Sequence, residues 1–110
     1  MEISQRSHGE ITILDIVDEI DLYNAPELEV TVRKLITEKK IKILINMSQV
    51  PFIDSNGLAK LIFTQRELKK VSGSLKLAAL SPAILKIFEA TKLDKVLSVF
   101  ASEEDALQAF

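Results

Sequence analysis

The sequence predicts a single α/β domain, residues 1–110, built on a mostly parallel but mixed sheet of 4–5 strands packed with about four helices. Three observations carry that expectation. Short runs rich in β-branched residues alternate with amphipathic segments along the whole chain, the pattern of strand–helix–strand crossovers. The run Ile43-Leu44-Ile45 is apolar without alternation, as a strand covered on both faces must be. Proline stands where a helix begins at Pro26 and Pro82, in positions where its missing N–H has no partner to lose.

The elements follow in order. Residues 2–6 and 10–16 read as two strands joined by a turn at Ser7-His8-Gly9. His8, the single histidine, falls in that turn and reads as a surface residue. A helix is expected over 26–39, from Asn24-Ala25-Pro26-Glu27. Leu28, Val32, Leu35 and Ile36 form one apolar stripe, with acids at its start and Lys39-Lys40 at its end. A strand over 41–46 comes next, then a helix from about Asn56 to Val71, with Leu58, Leu61, Ile62, Gln65, Leu68 and Lys69 on one face. Gly73 is the expected left-handed cap of that helix. The remainder reads as a strand over 75–80, a helix from Ser81-Pro82 to about Thr91, a strand over 95–100, and a short helix capped by Ser102.

Composition removes several function classes. Lys and Arg number 14 against 16 Asp and Glu, for a net charge of −2, and the cations are interleaved with acids, so no nucleic-acid footprint is expected. The absence of cysteine removes disulfides, thiolate metal sites and a Cys nucleophile. With three separated glycines there is no phosphate-cradling loop, and with one histidine a Ser-His-Asp constellation is not expected. The acids Asp18, Glu19 and Asp21 read as a charged connection rather than a catalytic pair. No apolar core marks MEISQRSHGE as a signal peptide and no run is long enough to span a membrane, so a cytoplasmic protein is expected, with no catalysis, cofactor or metal.

The turn Asp54-Ser55-Asn56-Gly57 is the candidate functional centre. Asp54 or Ser55 can cap the helix that follows, and capping alone would account for either residue. Gly57 serves close packing or unusual dihedrals in the first turn. A hydroxyl at a helix start is also a favourable place for a phosphate, which would sit at the positive end of the dipole and add about −1.5 to −2 charges. At about 100° per residue, Ala59, Phe63 and Arg66 continue the stripe from Ser55, away from the apolar face. Phe63 is then either an outward interface anchor beside Arg66 or is covered by another element.

These residues bring the sequence close to a known family. From about Ile11 to Phe110 it resembles a STAS domain, and in particular a stand-alone anti-sigma factor antagonist. The segment from Ile43 to Leu58 is similar to the family's apolar strand, its D-x-S-x-V turn and its hydrophobic-D-S-S-G-L phosphorylation motif. The segment from Glu19 to Leu28, and Ser81-Pro82 with the helix after it running into Thr91-Lys92-Leu93-Asp94, supply two further matches in order. The resemblance implies a STAS-like fold and a protein that binds an anti-sigma factor with serine kinase activity, freeing a sigma factor. It implies phosphorylation at Ser55 that breaks the complex and a serine phosphatase that resets it. Asp54 and Asp21 match the family's acids beside the serine, and the partner surface is expected to comprise Asp21, Asp54, Ser55, Asn56, Gly57, Ala59, Phe63 and Arg66. The free chain is expected to be a monomer or a weak dimer. The sequence departs from the family at Asp18, where glycine is frequent, at Asn46, where aspartate is usual, and at Asn56 in place of a second serine. A constitutive scaffold subunit of a signalling or transport complex, with Ser55 only a cap, is one alternative; a nucleotide-binding STAS domain is another.

Overall fold

The computed structural model describes residues 1–110. The elements are β1 (Glu2–His8), β2 (Ile11–Val17), α1 (Ala25–Thr37), β3 (Lys42–Gln49), α2 (Ser55–Lys70), β4 (Ser74–Ala78), α3 (Pro82–Ala90), a 3₁₀ turn (Leu93–Lys95), β5 (Ser98–Phe100) and α4 (Glu103–Gln108). The sheet order is β1-β2-β3-β4-β5, with β1 antiparallel to β2 and every other pairing parallel. This is the mixed sheet with four helices that the sequence predicts.

The helices divide unevenly between the two faces. Leu14 and Ile16 of β2, Ile43, Ile45 and Met47 of β3, and Leu75 and Leu77 of β4 pack beneath α1, α2 and α3, in a core completed by Leu28, Val32, Leu61, Leu68, Ile84 and Phe88. The opposite face holds a smaller cluster of Ile11, Ile13, Leu44 and Ala78 under Ala106 of α4. β3 is therefore buried on both sides, which explains its unbroken apolar run. Gln65 sits in the apolar stripe of α2 because its Nε2 donates to the Val96 carbonyl at 2.6 Å, which anchors the 93–97 segment.

Several boundaries differ from expectation, each for a local reason. β1 extends through His8, which pairs with Ile11, so the tight turn is Gly9-Glu10 with Gly9 at φ +60°. His8 is thus an exposed strand residue rather than a turn residue. α1 stops at Thr37, because Lys39 turns left-handed (φ +63°) and the N–H groups of Lys39 and Lys40 donate to the carbonyls of Ile36 and Leu35. α2 ends in the same way, but Ser72 adopts the left-handed conformation, at φ +61°. Gly73 is required for a different reason: a Cβ there would lie 2.5 Å from the Ile41 carbonyl oxygen. The last strand is only Ser98–Phe100, since left-handed Lys92 leads into the 3₁₀ turn that consumes the residues before it.

Candidate functional site

The site is built where two loops pair at the end of the sheet. After β3, the chain passes through Val50-Pro51-Phe52 and forms a single parallel bridge between Ile53 and Ile20. The Ile20 N–H donates to the Phe52 carbonyl and the Asp54 N–H to the Ile20 carbonyl, both at 3.1 Å. Ile20 and Ile53 are fully buried, so the two loops are held by core packing as well as by hydrogen bonds.

Asp54 is the N-cap of α2. Its Oδ1 accepts from the Gly57 N–H at 2.9 Å and its Oδ2 from the Leu22 N–H at 3.1 Å, so one carboxylate ties the helix start to the preceding loop. The Gly57 hydrogen bond, with smaller contributions from Leu22 and Asn56, holds the Asp54 carboxyl below the ordinary aspartate range despite partial desolvation. Asp21 plays the matching role in its own loop. Its Oδ1 accepts from the N–H groups of Tyr23 and Asn24 at 2.9 and 3.1 Å, while Asn24 Oδ1 accepts from the Asp21 N–H at 2.8 Å. This reciprocal arrangement starts the turn into α1, so the capping side chain is Asp21 rather than Asn24.

With Asp54 capping the helix, Ser55 is left as its first residue, exposed and outside the capping interaction. Asn56, Ala59 and Arg66 are also exposed. Gly57 is buried and offers no surface of its own: an added Cβ would meet Ile53 Cγ1 at 2.6 Å and the Ile20 carbonyl oxygen at 2.7 Å. Its place in the turn is close packing of α2 on the Asp21 loop, and no positive φ is involved.

Phe63 combines both readings left open by the sequence. It is half-buried, with the Arg33 guanidinium and the Lys60 ammonium 5.5 and 5.1 Å from its ring centre. Lys60 and Arg33 both pair with Glu29 of α1, whose carboxyl is held below the ordinary range chiefly by Lys60. Phe63 therefore forms part of the floor of a groove of about 570 Å³ between α1 and α2, which Asn56, Ala59 and Arg66 also line. The structure brings these four together and places Asp21 and Asp54 at the groove's end, through the Leu22 contact.

The other wall of the groove lies outside the residues that the sequence singles out. Leu22, Ala25 and Pro26 line it, and Leu22 and Tyr23 are 55 % and 90 % exposed. The available signal was the apolar spacing Leu22, Pro26, Val30, which runs beside the buried stripe of α1. No three acidic or histidine side chains converge. No helix is long and apolar enough to cross a membrane.

Comparison with known proteins fits this architecture. The STAS domain family model matches residues 2–106. The anti-sigma-B factor antagonist of Bacillus subtilis is 34 % identical over 95 residues, covering 86 % of each chain. The crystal structure of an anti-sigma factor antagonist from Mycobacterium paratuberculosis superposes with a TM-score of 0.88 at 28 % identity, covering 98 % of this chain and 92 % of that one. The Bacillus cell fate determinant SpoIIAA in its phosphorylated form shares the fold, with a TM-score of 0.74 at 23 % identity over 98 % of both chains. The chain thus belongs to the STAS domain family.

Proposed function

We propose that this protein is an anti-sigma factor antagonist whose partner is an anti-sigma factor with serine kinase activity, and that Ser55 is the switch. The observation that carries the reading is the separation of roles at the start of α2: Asp54 caps the helix, and the Ser55 hydroxyl is left exposed for another chemistry. The name of the Bacillus subtilis relative, an anti-sigma-B factor antagonist, supports the same reading.

The chain acts as substrate and ligand, not as enzyme. In the unphosphorylated state the partner docks on Asp21, Asp54, Ser55, Asn56 and the groove beyond, leaving the sigma factor free. Transfer of a phosphoryl group from ATP to the Ser55 oxygen, with loss of the hydroxyl proton, adds about −1.5 to −2 charges. The phosphate is tolerated by the chain itself, because the positive end of the α2 dipole lies beneath it. It is not tolerated by the partner, because the new charge stands beside the ionised Asp54 carboxylate and must be desolvated on docking. Release follows without unfolding, and hydrolysis by a serine phosphatase restores the binding form. These steps place the protein in the cytoplasm.

Ser55→Ala and Ser55→Asp separate the switch from a constitutive scaffold. Binding to the host's anti-sigma kinase should survive Ser55→Ala and weaken with Ser55→Asp. Intact-mass measurement after incubation with kinase and ATP should show one added phosphate on the parent chain and none on Ser55→Ala. Equal binding by both variants would return Ser55 to a purely structural place.

A further inference from the structure

The geometry points to a second use of the α1/α2 groove: it is a self-association surface on which two copies pack α2 antiparallel about a two-fold axis. The first argument is charge. Arg33 and Lys60 are tied to Glu29, whereas exposed Arg66 has no carboxylate partner in the chain. At the other end of the same helix, Asp54 and Asp21 concentrate negative charge beside exposed Asn56. The groove thus carries a free cation at one end, with the carboxylates of Asp54 and Asp21 just beyond the other, Asp54 about 18 Å from Arg66 along the helix. A surface with that polarity is complementary to itself when turned end for end.

The second argument is shape. The pairs Asn56/Arg66 and Ala59/Phe63 share one midpoint, Leu61, so a two-fold axis at that level satisfies both at once. It sets Arg66 of each copy against Asn56 and Asp54 of the other, and the Phe63 ring of each against the small exposed Ala59 of the other. The carboxylate of Asp54 offsets the partial positive charge of the helix start that Arg66 would otherwise meet. On the flanks, exposed Leu22 and Val30 extend the apolar contact.

The third argument is size, and it limits the strength. The groove is lined by ten residues, short of the roughly 20–30 per side of a stable interface. The dimer is therefore weak. Asn56 adjoins Ser55, so the paired form shields that serine; this last consequence rests on the kinase reading, whereas the dimer itself does not.

The test uses the chain alone. Sedimentation velocity from about 10 µM to about 1 mM, the range of weak association, should show the parent chain moving from monomer toward dimer. Arg66→Glu sets a carboxylate against Asp54 of the other copy, and Asn56→Lys sets a cation against Arg66. Each variant alone should stay monomeric while keeping its circular dichroism spectrum. An equimolar mixture of the two should regain the dimer. At one end of the mixed pair the introduced carboxylate meets the introduced ammonium, and at the other the remaining Arg66 meets the native acidic end. A parent chain monomeric throughout, which would leave the groove to a different protein, overturns the proposal. So does association by either variant at the parent's strength, or a mixture that stays monomeric. None of these results bears on phosphorylation of Ser55.

Discussion

Replacing Gly57 by alanine tests the packing that positions the serine. In an exposed helix interior the change would stabilise the chain by about 1 kcal/mol, from helix propensity alone. Here the new methyl would stand 2.7 Å from the Ile20 carbonyl oxygen and 2.6 Å from Ile53 Cγ1. The Ile53 side chain has a rotamer to change, but the Ile20 carbonyl is fixed by its hydrogen bond from the Asp54 N–H. Relief therefore requires α2 to lift off the 18–22 loop, which strains the bonds from Leu22 to Asp54 and from Asp54 to Ile20. Overpacking of this kind costs about 1–3 kcal/mol and a weakened buried hydrogen bond about 1 kcal/mol more. Set against the propensity gain, a net loss of about 1–3 kcal/mol is expected, a fall in Tm of roughly 4 °C per kcal/mol for a chain of this length. Urea denaturation should show a lower midpoint with an unchanged slope. A Gly57→Ala chain as stable as the parent, or more so, would refute the close approach of α2 to Ile20.

Lys39→Gly should stabilise the chain by about 1 kcal/mol in thermal melts, because Lys39 holds a left-handed φ of +63° at the end of α1. Asn46→Asp should destabilise it, since Asn46 Nδ2 donates to Glu103 Oε1 at 3.0 Å and a carboxylate there would face another; Glu103→Gln in the same chain should restore much of the loss. Acid titration should reveal Asp54. Its pKa is depressed in the folded state, so its contribution is present above the unfolded value near 3.8 and is lost as pH falls through the lower folded value. Asp54→Asn, which still caps but does not ionise, should flatten the stability curve below about pH 4.

The sequence was most legible where one physical signal dominated. Uninterrupted apolar residues placed β3 in the middle of the sheet, and Ser81-Pro82 and Ser102 marked the starts of α3 and α4, where both hydroxyls accept the expected capping bond. It was least legible where backbone geometry ran against residue type. Left-handed Asp18, Lys39, Ser72, Ala79 and Lys92 are all non-glycine, so the turns at Asp18, Lys39, Ala79 and Lys92 carry no glycine signal, and at the end of α2 the glycine stands one residue past the left-handed position. Asp18, at φ +79°, also gives a reason why glycine is frequent there in the family the sequence resembles. In the site, the α2 stripe of Asn56, Ala59, Phe63 and Arg66 could be read from helical periodicity. The wall contributed by Leu22 and Pro26 was signalled only by their apolar spacing with Val30, and its meeting with α2 depends on how two helices separated in sequence lie together. Gly57 was legible as a special position, but only the Ile20 contact shows that its task is packing and not display.

The most direct test of the switch is the affinity of the host's anti-sigma kinase for two chemically defined forms of this chain, one with serine and one with phosphoserine at position 55. Isothermal titration should show the phosphoserine form bound at least about tenfold more weakly, a difference of about 1.4 kcal/mol, while the two forms give the same circular dichroism spectrum. Equal affinity for both forms would contradict the assignment of Ser55 as the switch.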